Sequence, residues 1–231
     1  MATASKRLTR KQIREPDKFL VFTQQALDFA RDRRPLIIAA AGLLVFALIG
    51  IGGWRLYKHS HEAEAANHFD QAMALYRAEK YKEAIPAFQK VEGYRWSRYA
   101  SLAYLYETDT YIALKDLNKA LNSAQRFVSA TESNSLYRQL GLVKLAYVEE
   151  LKEQCPRAIE HYSEAQQIAG PYKDRALLGS AGCYAQTGKI TEAIAAYRQY
   201  LGDNPGVTNS TSITLRIAEL ESKVGNQTAT K

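Results

Sequence analysis

The signatures of the common catalytic sites are missing from these 231 residues. No G-x-x-x-x-G-K stretch offers amides and a lysine to phosphate, no G-x-G-x-x-G turn lets backbone approach a pyrophosphate, and no H-E-x-x-H pair sets two histidines on one helical face for zinc. Gly179-Ser180-Ala181-Gly182 falls short of a nucleophile elbow because Leu178 stands where glycine is needed. Close helix contact explains those small residues better. Histidine is scarce, with four in the chain. His61, Glu64 and His68 share one helical face, but no fourth ligand or supporting shell accompanies them, so they read as solvated or interface polar groups. His161, beside Tyr162, reads as a surface residue. These gaps exclude an enzyme, a metal centre and a bound cofactor as the expectation. Cysteine is also sparse: Cys155 and Cys183 fall on neighbouring helices, where two buried thiols fill helix contacts more simply than a disulfide, whose Cα separation the register leaves open.

Charge is unevenly placed. Of the net +7, residues 1–54 carry +5 and the remaining 177 residues only +2, so the long C-terminal part is almost neutral and no nucleic-acid partner is expected. The cations Lys6, Arg7, Arg10, Lys11, Arg14, Lys18, Arg31, Arg33 and Arg34 all precede a charge-free run, 36–54 (LIIAAAGLLVFALIGIGGW). At about 1.5 Å per residue such a run just crosses a hydrocarbon core of about 30 Å. The leader and the run are both too long for a signal peptide, although Ala63-Glu64-Ala65 imitates a cleavage site. The Trp54/Tyr57 pair marks a membrane interface, and the basic side stays in the cytoplasm. No two small residues stand four apart in the run, which removes the G-x-x-x-G face for pairing spans.

Residues 16–34 have Phe19, Phe22, Ala26, Leu27 and Ala30 at helical spacing, which predicts a juxtamembrane helix lying in the interface. Residues 1–15 read as a basic cytoplasmic tail near anionic lipid.

The remainder repeats. KYKEAIPAF, DLNKALNSA, QCPRAIEHY and KITEAIAAY each place an alanine (Ala84, Ala120, Ala158, Ala193) four residues before Phe88, Ala124, Tyr162 or Tyr197. Twelve residues before each alanine stand Ala72, Thr108, Ala146 and Ala181, and Pro205 follows Ala193 by twelve. Small residues let two antiparallel helices approach, and the aromatic residues fill the gap between pairs. With alanine spacings near 34, the chain resembles the tetratricopeptide-repeat family over about 66–206. The expected fold is all-α: a tail (1–15), a juxtamembrane helix (16–34), a transmembrane helix (35–57), about four tetratricopeptide-like pairs forming an α-solenoid (58–206), and a capping helix with a flexible tail (207–231).

The order of a short cytoplasmic segment, one span ending in Gly53-Trp54-Arg55, Ser60-His61 and then degenerate repeats is similar to the ancillary subunit family of the bacterial Sec translocon. That resemblance implies a single-pass inner-membrane protein with a cytoplasmic N-terminus, whose periplasmic repeats contact exported polypeptides and translocon subunits. An accessory or assembly subunit of another envelope complex, respiratory or cell-division related, is the second expectation. Counting along the first helices places Phe69, Met73 and Tyr76, then Leu105, Asp109 and Ile112, then Val143, Tyr147 and Glu150 in a concave protein-binding groove suited to an extended or helical client segment. Phe69 and Met73 take two places of the cation-and-asparagine clamp that some such domains use on a C-terminal carboxylate, so a chaperone-tail receptor is not expected.

Overall fold

The computed structural model describes residues 22–24, 27, 29, 31 and 33–229, with side chains described as far as Val224. The expected basic tail lies outside the described residues. So does most of the expected juxtamembrane helix, of which residues 22–24, 27, 29 and 31 are helical. Two compact units divide the chain, Met1–Lys58 and His59–Lys231.

The first unit contains the apolar run, in the first part of α1 (Arg34–Arg77). Residues 33–60 are exposed on every side, so this stretch is no core helix of a globular domain. It is the one helix among the described residues long and apolar enough to cross a membrane. Trp54 and Tyr57 sit together at its end, ring centroids 6.1 Å apart.

The second unit is entirely helical among its described residues. The end of α1 pairs with α2 (Tyr81–Glu92), α3 (Arg98–Ala113) with α4 (Leu117–Ser129), α5 (Leu136–Leu151) with α6 (Cys155–Gln167), and α7 (Lys173–Gln186) with α8 (Ile190–Asp203). α9 (Ser210–Ala229) closes the stack at the position expected for a cap. Side-chain caps start several helices: Ser97 accepts from the Tyr99 amide, Asp116 from Lys119 and Ser135 from Arg138, each satisfying an amide the first turn leaves open.

The repeat register is visible in the core. Ala72, Thr108, Ala146 and Ala181 on the first helices, and Ala84, Ala120, Ala158 and Ala193 on the second, are all fully buried. Any larger side chain there would separate the pair. Phe88, Tyr162 and Phe127 fill the spaces between helices, each burial stabilising by about 1.5–3 kcal/mol. Within each pair the connecting turn holds one residue in the left-handed region, always five before the alanine: Glu79 (φ 57°), Lys115 (φ 61°), Glu153 (φ 59°) and Gly188 (φ 77°). Only the fourth unit uses glycine, the residue that adopts this conformation without cost.

Gly179 carries a second backbone requirement. A Cβ there would lie within 2.6 Å of both Cε atoms of the buried Tyr162 ring, so helix α7 can pass α6 only where no side chain intervenes. Ser180, next in sequence, is buried and donates to the Leu177 carbonyl at 2.9 Å. The small-residue run packs helices, as its spacing predicts.

The cysteines depart from expectation. Cys155 and Cys183 form a disulfide across a Cα separation of 5.0 Å, joining the start of α6 to α7 of the next pair. Register places the two helices side by side; the close approach that Ala158, Ala146 and Ala176 permit brings the sulfurs together.

Candidate functional site

The nine residues counted into the groove fall into two groups. Phe69 and Met73 are only 8% exposed and belong to the core where the first two repeats meet, with the Phe69 ring 5.3 Å from Tyr99, 5.6 Å from Tyr106 and 6.0 Å from Phe88. Tyr76 is half-buried at the rim of the same cluster, touching Tyr81 and Tyr106. Leu105 and Val143 are buried, and Ile112 packs half-buried beside the Tyr111, Ala120 and Val148 cluster. Phe69, Met73, Leu105 and Val143 support the surface from behind, and Tyr76 and Ile112 stand half-buried at it.

The polar members reach one another's neighbours. Asp109 on α3 pairs with Lys144 on α5. Arg175 on α7 lies 5.9 Å from the Tyr147 ring on α5. Glu150 accepts a hydrogen bond from the Tyr162 hydroxyl at 2.9 Å. Burial first, then the Glu150 charge, raises the Tyr162 pKa, so this phenol remains a donor at every physiological pH. A Cβ on Gly182 would meet Glu150 at 3.7 Å and the Tyr197 hydroxyl at 3.9 Å. Burial raises the Tyr197 pKa against the opposing charge of Arg216 on α9. A ladder of charged and phenolic groups thus runs across α3, α5 and α7 to α9.

Sequence counting stopped at the third repeat and missed part of this surface. Adding the last period of 35 to Val143, Tyr147 and Glu150 gives Leu178, Gly182 and Ala185, all half-buried on α7. The small residues at two of these positions leave room beside Glu150 and Tyr197. Lys144, Arg175 and Arg216 carried no periodic signal, the first a half-buried and the others exposed cations on otherwise ordinary helices.

Two further polar clusters involve buried glutamates. Glu107, 1% exposed, accepts from Ser123 Oγ at 3.1 Å and faces Glu92, whose Oε2 is 2.5 Å from Arg126. Burial, with the Glu92 charge adding, pushes the Glu107 carboxyl up to about 8, so at neutral pH it holds its proton. Arg126 completes the group, 4.1 Å over the Tyr104 ring and donating to its hydroxyl at 2.9 Å. The buried Glu149 meets His161 Nδ1 at 2.7 Å. That hydrogen bond raises the His161 pKa. His161 is therefore a half-buried partner of Glu149, and the reading of it as a plain surface residue is corrected. His61 and His68 flank the Tyr94 ring at 5.6 and 5.7 Å, and Glu64 is exposed; no cluster of metal-ligating side chains occurs among the described residues.

Comparison with known proteins bears on the same part of the chain. Residues 29–225 match the family described as tetratricopeptide repeat-like domain. Among solved structures the chain is similar to MamA protein, at 19% identity and a TM-score of 0.58 over 68% of this chain and 82% of that one. It is similar to PilW, a widely conserved type IV pilus biogenesis factor, at 18% identity and 0.58 over 70% and 71%. A third likeness is to YrrB, a tetratricopeptide-repeat protein with an unusual peptide-binding site, at 16% identity and 0.53 over 67% and 76%. At these identities the likeness is one of fold. No curated protein matches the sequence.

Proposed function

Because this chain belongs to the tetratricopeptide repeat-like domain family, we propose that it is a non-enzymatic, membrane-anchored scaffold whose periplasmic repeats hold segments of exported polypeptides at the translocon. The observation that carries this reading is the ladder of Asp109, Lys144, Tyr147, Arg175, Glu150 and Tyr197 across successive first helices and their neighbours. It offers charged and phenolic groups at intervals along a continuous helical surface, which suits an extended peptide backbone more than a small molecule. Tyr76, Asp109, Ile112, Tyr147 and Glu150 make the contacts, while Phe69, Met73, Leu105 and Val143 shape the surface beneath them.

Three features support the placement. The charge-free run of 36–54 is exposed all round and long enough to span a bilayer. The cations before it keep the N-terminus cytoplasmic and the repeats in the periplasm of a bacterial inner membrane. The Cys155–Cys183 disulfide suits an oxidising compartment. The partners are proteins, with lipid around the span.

A photo-reactive amino acid at Tyr147 in the full chain tests the groove. Crosslinks to an arrested exported polypeptide, lost on Glu150→Arg, are expected; an arrested chain that crosslinks equally from exposed Leu215, on α9, removes the groove assignment. Copurification in gentle detergent tests the complex: translocon subunits support the reading, and a fixed-ratio respiratory or division assembly replaces it with the accessory-subunit alternative. A topology reporter at Lys231 active only in the cytosol overturns the placement.

A further inference from the structure

The edge of the repeat unit that carries the loops between pairs differs from the rest of its surface. Trp96, between α2 and α3, is 76% exposed, more than any other large apolar side chain of this unit. Arg95 and Arg98 flank it, both exposed. Leu136 and Tyr137, about half exposed, follow the next such loop. A cleft of about 420 Å³ runs from Arg95 and Trp96 past Ser101 and Tyr104 to Ala130 at the end of α4, linking the first loop to the second. An exposed indole with Leu136 and Tyr137 along the same edge forms an apolar patch broader than a single surface residue, the kind of surface that marks an interaction site.

Contacts inside this unit fix where the loop lies along the chain. His61 and His68 hold the Tyr94 ring, and Glu62 pairs with Arg98 at 3.0 Å. Tyr57, at the end of the apolar run, precedes His61 by four residues, which span at most about 14 Å of extended chain. Four residues of chain therefore separate the end of the apolar run from a residue that holds the 94–98 loop.

We propose that the 94–98 loop is a second membrane contact, with Trp96 entering the headgroup layer and Arg95 pairing with the phosphates of anionic phospholipid. An indole has an apolar body and one N–H donor, which matches the interface between acyl chains and headgroups. A guanidinium pairs with phosphate through two parallel hydrogen bonds, and each cation near an anionic surface adds to the attraction. Leu136 and Tyr137 extend the same edge with one apolar and one amphipathic side chain. This inference rests on the reading that 35–57 crosses the bilayer.

The chain has two tryptophans, so single substitutions isolate each. Full-length Trp54→Phe, reconstituted in phosphatidylethanolamine vesicles containing phosphatidylglycerol, leaves Trp96 as the reporter. Its fluorescence should be quenched by lipid brominated near the headgroup and less by lipid brominated near the chain end. Replacing phosphatidylglycerol with phosphatidylcholine, or making Arg95→Glu, should remove most of that quenching. Trp96→Phe reports on Trp54 and hence on the span. Quenching of Trp54 without quenching of Trp96 overturns the loop contact alone, as does Trp96 quenching indifferent to both lipid charge and Arg95→Glu. If neither tryptophan is quenched, the span reading fails and the loop contact falls with it.

Discussion

Reducing the Cys155–Cys183 bond should lower the unfolding midpoint of the repeat unit without removing an atom from its core. The bond closes a loop across a sequence separation of 28 residues. Opening it restores loop entropy to the unfolded chain of about 12 cal/mol/K, or about 3.5 kcal/mol at 25 °C. For a unit of this size each kcal/mol moves the midpoint by about 2–4 °C, so reduction should cost about 7–14 °C. The measurement is far-ultraviolet circular dichroism of the full chain in detergent, heated with and without reductant. Cys155→Ala with Cys183→Ala should melt lower still, because both sulfurs leave fully packed sites and small cavities add their own cost. The expected order is oxidised, reduced, then double variant. Coincident oxidised and reduced curves would refute the reasoning, and so would two reactive thiols in protein unfolded without reductant.

Gly179→Ala should destabilise by about 1–3 kcal/mol, since the new methyl group meets the Tyr162 ring and neither helix backbone can yield freely; Tyr162→Leu in the same chain should abolish most of the added cost in a double-mutant cycle. Lys115→Gly and Glu153→Gly should each stabilise by up to about 1 kcal/mol in thermal melts, because both side chains occupy left-handed turns that glycine adopts freely. The folded chain keeps the Glu107 proton up to about 8, whereas the unfolded chain releases it near 4.5. The folded state therefore binds more protons between those values, and stability should fall as pH rises through that window and level off above it. Denaturant midpoints across that range should flatten in Glu107→Gln; an unchanged slope would place the titration elsewhere.

The repeat architecture was legible because it depends on short-range constraints. An alanine at a helix crossing is required by backbone proximity, and the same requirement recurs every 35 to 38 residues. The exposed apolar helix was legible for a related reason: nineteen residues without charge mark a stretch that no polar face interrupts. The disulfide was not, because register gives neighbouring helices and the bond needs Cα atoms within a few ångströms. The burial of the nine counted residues was half legible. Phe69 and Asp109 occupy nearby faces of equivalent helices, yet one packs into the adjoining repeat and the other meets Lys144, a difference of angle that depends on how successive pairs rotate. Glu107 and Glu149 gave no signal at all. Glutamate on a helix ordinarily marks the wet side, and only Ser123 with Glu92, or His161, arriving from other segments makes its burial tolerable.

The position of the Cys155–Cys183 bond has a mechanical consequence. Stacked repeats are held only by their immediate neighbours, so they unravel from a free end inward. Here α8 and α9 can peel away from the C-terminal side, but at Cys183 the unzipping meets a covalent stop that belongs to the previous pair. A partner pulling on the far end would strip two helices, after which the load would pass through the bond to Cys155 and leave α6 and most of α7 in a closed loop that the pull does not unwind.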